Sequence, residues 1–334
     1  MKTLQALNNI LKKQGRDPEK TISDALNSLT KAFDGESKGK SNGEALQALD
    51  GVYQPYNCLI ESRTFGSSDI LSWFSVLDLR NVELSDYAKS NLKQFRFNNY
   101  YYLKEIKADW SKIISPNLNY IKFENCSRLQ KLDCSTMDTS NFTDMSSMFK
   151  GCASLTNINM SNFNTKNVIN MASMFSGCTG LAKLDLSSFN AEKVLSMYGM
   201  FRGCTGLTEL DLSSFKGGSI TNAKEMFYGC SNLEKIDFSN FNVDNVTQWI
   251  SIFDNCPKLT TVIWGENWGG KNSWVDARCS TFSRETILDL FNKLADRKEE
   301  TSSPEVYILS ATNKMLTDAD REIASTKGWT ITIV

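Results

Sequence analysis

The chain has 334 residues, of which 41% are hydrophobic and 22% charged, and 37 basic side chains against 38 acidic ones leave a formal net charge of −1. That balance excludes the basic footprint of a nucleic-acid binder, and no apolar run approaches the roughly 18 residues of a membrane helix, so neither nucleic-acid binding nor membrane insertion is expected. Histidine is absent, which removes Ser-His-Asp and Cys-His catalysis and histidine-ligated metals.

The first 50 residues read as a helical leader followed by a linker. Leu4, Leu7 and Leu11 mark one short helix. Asp17 and Pro18 form a helix start, and Ile22, Ala25, Leu26, Leu29 and Phe33 line one face of a second helix. Residues 34–43, DGESKGKSNG, have the composition of a flexible linker. Two such helices cannot enclose a core of their own. They are expected to attach to another protein or to copies of this chain. The stretch MKTLQALNNILKKQGRD breaks its apolar residues with Asn, Gln and Lys. A secretory signal needs an unbroken apolar core, so synthesis in a cytoplasm without export by that route is expected.

Residues 51–118 read as degenerate repeats. Phe97, Tyr100, Leu103 and Ile106 fall 26 positions before Phe123, Cys126, Leu129 and Leu132, and the array is expected to start near Leu77.

Residues 119–264 carry the regular part. Cys126, Cys152, Cys178, Cys204, Cys230 and Cys256 are spaced by 26 throughout. A fixed period of that size is the mark of a solenoid, in which each unit buries its apolar face only against its neighbours. Phe123, Phe149, Phe175, Phe201, Phe227 and Phe253 keep the same register. Val168, Met171, Met174 and Phe175 have the spacing of one face of a short helix. Gly151, Gly177, Gly203 and Gly229 follow, with Asn125 and Asn255 in the two units that lack the glycine, as a left-handed cap tolerates. Residues 184–187, LDLS, alternate as a short strand. The predicted unit is strand, turn, short helix and cap, and its strands are expected to stack into one parallel sheet. The fold class is an α/β leucine-rich-repeat solenoid.

Residues 265–334 are expected to cap the array, because the last unit would otherwise expose its core face. Residues 281–297 read as a helix through Phe282, Ile287, Leu290, Phe291 and Leu294, and 305–310 and 329–334 read as strands.

The pattern M-x-x-M-F-x-G-C-x-x-L-x-x-L-D-L-S-x-F-N, met in full at 171–178 as MASMFSGC, resembles the 26-residue repeat of the BspA-like leucine-rich-repeat family. That repeat is common in surface proteins of gut bacteria, mycoplasmas and Listeria, and in proteins of their phages. The unit 119–144 departs from it at Lys122, and the last unit drifts from Thr261. The closing LTDADREIASTKGWTITIV resembles segments found after such repeats, and the leader resembles leader segments in structural proteins of gut-bacterial phages. The resemblance implies a repeat fold and a binding role without naming a ligand.

Three outward ladders form a candidate binding face on the expected concave side. Lys183, Glu209 and Lys235 belong to the first, Asp185, Asp211 and Asp237 to the second, and Ser187, Ser213 and Ser239 to the third. Stacked carboxylates repel, and either the neighbouring lysines and solvent relieve them or a cation or sugar hydroxyls bind there. Trp264, Trp268 and Trp274 are either the packing between array and cap or an exposed aromatic contact. The cysteine column reads as small buried hydrophobes, with disulfides or a metal as the alternative; no C-x-x-C pair is present. Cys58, Cys134 and Cys279 lie outside the column and read as buried fillers, although Arg278 stands beside Cys279. No catalytic residue, metal or cofactor is assigned.

The reading that follows is a non-enzymatic structural and interaction protein, a phage virion component such as a fibre, decoration or adaptor protein. Residues 1–50 would attach it to other virion or surface proteins or form a homo-oligomer. The solenoid would meet a host-surface glycan or protein. The alternative is a surface adhesion protein of a bacterium.

Overall fold

The computed structural model describes residues 93–215, 218–269, 274–279, 281–299 and 304–334, together with the backbone of 76–79. The leader residues Leu4, Leu7, Leu11, Ile22, Leu26, Leu29 and Phe33, and Cys58, lie outside the described residues.

Why should residues 26 apart lie side by side? The apolar columns can be buried only between successive units, and the chain pairs them in parallel register. Strand β1 (Val76–Leu79) pairs with β3 (Glu105–Ala108), and β3 pairs with β5 (Lys131–Leu132). β2 (Gln94–Arg96) pairs with β4 (Tyr120–Lys122). Further along, β6 (Glu209–Asp211), β7 (Lys235–Asp237) and β8 (Thr261–Ile263) form a three-stranded sheet. Its register matches Leu210 to Ile236 and Ile236 to Val262. The step from β1 to β3 differs: Leu77 pairs with Ile106, 29 positions on.

The core is a column of stacked rings. Phe97, Phe123, Phe149, Phe175, Phe201, Phe227 and Phe253 lie with neighbouring centroids 5.2–6.2 Å apart. A second column, Phe163, Phe189, Phe215 and Phe241, stacks at 5.9–6.4 Å. Each buried aromatic removes on the order of 150–250 Å² from water, so these columns carry much of the drive to stack.

The predicted short helix is not formed. Alternate amides of the M-x-x-M-F segment donate to the next unit instead: those of Met171, Ser173, Phe175 and Gly177 reach the carbonyls of Ser196, Tyr198, Met200 and Arg202 at 2.7–2.9 Å. The intervening amides of Met174, Ser176 and Cys178 close turns onto Met171, Ser173 and Phe175. A helix would commit every amide to the carbonyl four residues back. Left-handed residues prevent this. Ser147, Ser173, Gly199, Glu225 and Ser251 have φ of 55–60°, and they sit within the segment. The predicted left-handed positions do hold, with φ of 69–74° at the four glycines and 61° and 60° at Asn125 and Asn255. They end a run of turns rather than a helix.

The closing segment begins with β9 (Trp274–Asp276), which lies beside β10 (Glu305–Ile308) and β11 (Thr330–Ile333) in a parallel sheet of order β11-β10-β9. Four helices are described: α1 (Trp110–Ile113), α2 (Arg284–Lys293), α3 (Ser310–Asn313) and α4 (Asp318–Ser325). The helix expected over 281–297 is shorter, and α4 was not anticipated. Its start is nevertheless written in the sequence: Thr317 and Asp320 form a capping box, each side chain bonding the other's backbone amide. Among the described residues no helix is long and apolar enough to cross a membrane.

Candidate functional site

The outward side of the strand column is built by turns. Ser187 N–H donates to Asp185 Oδ1 at 2.9 Å, and the same bond recurs from Ser135 to Asp133, Ser161 to Asn159, Ser213 to Asp211 and Ser239 to Asp237 at 2.8–3.1 Å. Asp and Asn are favoured where a side chain must bond its own backbone two residues on. The Asp column therefore has a structural origin: one oxygen of each carboxylate closes a turn. The Ser187 amide, then its hydroxyl, hold the Asp185 carboxyl below the usual carboxylate range. Asn159 performs the same task without charge.

The in-register strands set Glu209 beside Lys235 and Asp211 beside Asp237. Lys183, Asp185, Ser187, Glu209, Asp211, Lys235 and Ser239 are exposed, and Ser213 and Asp237 are half-buried. The one-sheet expectation fails at 183–186. No strand pairing joins this segment to either neighbour among the described residues, although Asn159 still bridges to Asp133. Leu184 is accordingly only partly buried, while Leu210 and Ile236, at the equivalent positions, are 3% and 0% exposed. The opening leaves a cleft of about 320 Å³ lined by Asn157, Ile158, Asn159, Met160, Ser161, Asp185, Ser187 and Ser188.

The tryptophans take the packing role. Trp264 and Trp268 are each 2% exposed, which removes them as surface contacts. Their rings meet edge to face at 4.4 Å, and Trp268 lies 4.9 Å from Trp249. The indole N–H of Trp264 donates to the Thr286 carbonyl in α2 at 2.8 Å, tying the array to its closing segment. Trp274 is half-buried beside Tyr307.

The cysteine column has a definite use. Cys204 Sγ donates to the Phe175 carbonyl at 3.0 Å, and the bond repeats at Cys126, Cys152, Cys178, Cys230 and Cys256 at 2.8–3.1 Å. A thiol is small enough for the space and adds a second hydrogen bond to carbonyls that, at Phe123, Phe149, Phe175, Phe201 and Phe227, already accept the amide of the cysteine three residues on. Burial pushes the thiols of Cys126, Cys178 and Cys256 up to about 12. They are poor nucleophiles. Cys134 and Cys279 are buried as well, and burial raises both. Arg278 turns away to Asp276, with Nη2 2.7 Å from Oδ2, rather than activating its neighbour. Among the described residues no three His, Cys, Asp or Glu side chains gather closely enough to hold a metal ion.

Sequence reasoning did not find the buried threonines. Thr139 Oγ1 donates to the Asn164 carbonyl at 3.1 Å and accepts from the Asn164 amide at 2.8 Å; Thr165 makes the same pair with Asn190. Their signal was Thr139 and Thr165 standing 26 apart next to Asx residues.

A family model described as "Mycoplasma protein of unknown function, DUF285" matches residues 117–234 and 184–285, together just over half of the chain. No curated protein matches. Among solved structures, a leucine rich cell surface protein from Faecalibacterium prausnitzii A2-165 is similar, at 15% identity and a TM-score of 0.33. The alignment covers 57% of this chain and 64% of that protein, so the chain spans less than two thirds of the relative's length.

Proposed function

The chain belongs to the DUF285 family, and from that premise we propose that it is a non-enzymatic interaction protein displayed at a bacterial cell surface, with its array as a solenoid of 26-residue leucine-rich units. The observation that carries this reading is the division of labour in each unit. Apolar and thiol side chains are consumed by stacking, and the outward rungs at 183–187, 209–213 and 235–239 remain polar and largely open to solvent. Repeat arrays use such extended surfaces for binding. The family match agrees with the mycoplasma branch of the resemblance to BspA-like surface proteins. The reading of a phage virion component drew on residues 1–50, which lie outside the described residues, and no described feature favours it over surface display.

The test is impermeant amine labelling of intact cells that express the chain natively, with a cytosolic protein as control. Labelling of this chain, with the control unlabelled, is the expected result. Labelling only after lysis would overturn the surface reading.

A further inference from the structure

We propose that the cleft between residues 157–161 and 185–188 is a saccharide-binding site. The proposal rests on the interaction reading above and names the ligand class for one place on that surface.

The opening is set into the stack. Strand pairing resumes at β6 but is missing at 183–186. Ser188 spans the gap from the side, its Oγ donating to the Met160 carbonyl at 3.0 Å. Phe149 and Phe175, the pair at this step, are inclined by 20°, whereas the other steps of that column are inclined by 1–11°. The units stay in contact through their rings and part on the strand side.

The lining suits a sugar. Ile158 and Met160, at 6% and 2% exposure, close the cleft from beneath, and the surface it presents is mainly polar. Asn157, Asn159, Ser161, Asp185 and Ser187 are exposed around it. The turn bonds use one oxygen each of Asn159 and Asp185. The Asn159 Nδ2 amide is a donor, and the Asp185 carboxylate keeps lone pairs to accept beyond its bonds from Ser187; both line the cleft. A donor and an acceptor in the lining of one polar cleft match the hydroxyls of a sugar, each of which can both donate and accept. A divalent cation is a poor fit, because Asp185 is the single carboxylate in the lining and hard cations take about six to eight oxygens. A peptide side chain would find no deep apolar pocket. The volume of about 320 Å³ falls at the small end of ligand sites, about 300–1,000 Å³, which suits one or two sugar rings.

The test is binding of the full chain to an array of immobilised bacterial and host oligosaccharides, followed by titration with the strongest. Two substitutions keep the turn, because each installs the side chain that serves it elsewhere in the column: Asp185→Asn and Asn159→Asp. Asp185→Asn should weaken binding by about tenfold or more, as loss of a hydrogen bond to a charged partner implies, and Asn159→Asp by about fivefold, as loss of a neutral one implies. Asp237→Asn, on a rung with intact pairing, should change affinity less than about twofold. Retention of no saccharide, or binding indifferent to both cleft substitutions, overturns the proposal, as does capture of an extended peptide that these substitutions weaken. If intact cells are labelled but the array is blank, the saccharide assignment alone fails; if they are not labelled, the surface reading fails.

Discussion

Gly203 and Gly206 stand three residues apart and should fail differently when substituted. Gly203 has φ of +69°, and a Cβ built on it meets nothing closer than 4.0 Å, the backbone of Gly177. Alanine there has room but must hold a left-handed backbone, at a cost of about 1–2 kcal/mol. Asparagine visits that region more readily, and the chain itself places Asn125 and Asn255 at the equivalent positions with φ of 61° and 60°. Gly203→Asn should therefore lie closer to wild type than Gly203→Ala. At Gly206 the obstacle is steric. A Cβ would stand 2.5 Å from the Thr179 carbonyl oxygen and 2.6 Å from that of Leu181. Backbone carbonyls cannot rotate aside, so overpacking should cost about 1–3 kcal/mol. Asparagine brings no relief there, because its side chain begins with the same Cβ. Urea unfolding of the full chain, compared by midpoint at constant slope, measures all four variants. The reasoning is refuted if asparagine is no better than alanine at 203, or if alanine at 206 is neutral.

Phe201 lies between Phe175 and Phe227 at 5.8 and 5.5 Å and is fully buried. Phe201→Ala should destabilise by about 4 kcal/mol, and a urea midpoint within error of wild type would contradict the ring-column account. With thiols at about 12, thiolate at pH 8 is about one part in ten thousand, and the thiolate is what alkylates. Mass spectrometry after iodoacetamide treatment should find no more than one of the nine cysteines modified in the native chain and all nine modified in urea. The Thr317 amide, followed by the Arg284 guanidinium, holds the Asp320 carboxyl down from 3.8 to about 2. A carboxylate depressed in the folded state stabilises above its unfolded value and loses that contribution as pH falls through its folded one. Thermal stability should therefore drop between about pH 4 and pH 2, and Asp320→Asn should flatten that limb; an unchanged profile would show that the capping carboxylate is not responsible.

Much of the architecture was legible in the sequence because burial imposes a period. The cysteine and phenylalanine columns, the left-handed glycines and the buried leucines each follow from the need to repeat one contact in every unit. The predicted helix failed for a physical reason. Apolar residues at i, i+3 and i+7 mark one buried face whether the backbone is a helix or a run of turns that passes alternate amides to a neighbour. Gly199 was the available hint, a glycine in a column otherwise occupied by Ser147, Ser173, Glu225 and Ser251. The tryptophans were assigned two roles, and burial between array and closing segment selects packing. The gap at 183–186 could not be read, since LDLS there has the same alternation as the paired strands.

That last failure bears on where function should be sought. The Asp ladder stands out in the sequence because it repeats, yet repetition is what a structural requirement produces: each turn needs an oxygen two residues ahead of an amide, and Asp or Asn supplies it. A ligand needs the opposite, a place where neighbouring units differ so that groups otherwise consumed by the fold become free. Asn157 and Asn159 break the charge of their ladders, Leu184 emerges from a column that is elsewhere buried, and the Phe149–Phe175 step tilts. All of these fall within two adjacent units, and Asn157 and Asn159 line the described cleft. Swapping Asp185 with Asn and Asn159 with Asp keeps the periodic requirement satisfied and alters only the groups left over, so the paired substitutions separate what the fold needs from what a ligand would use.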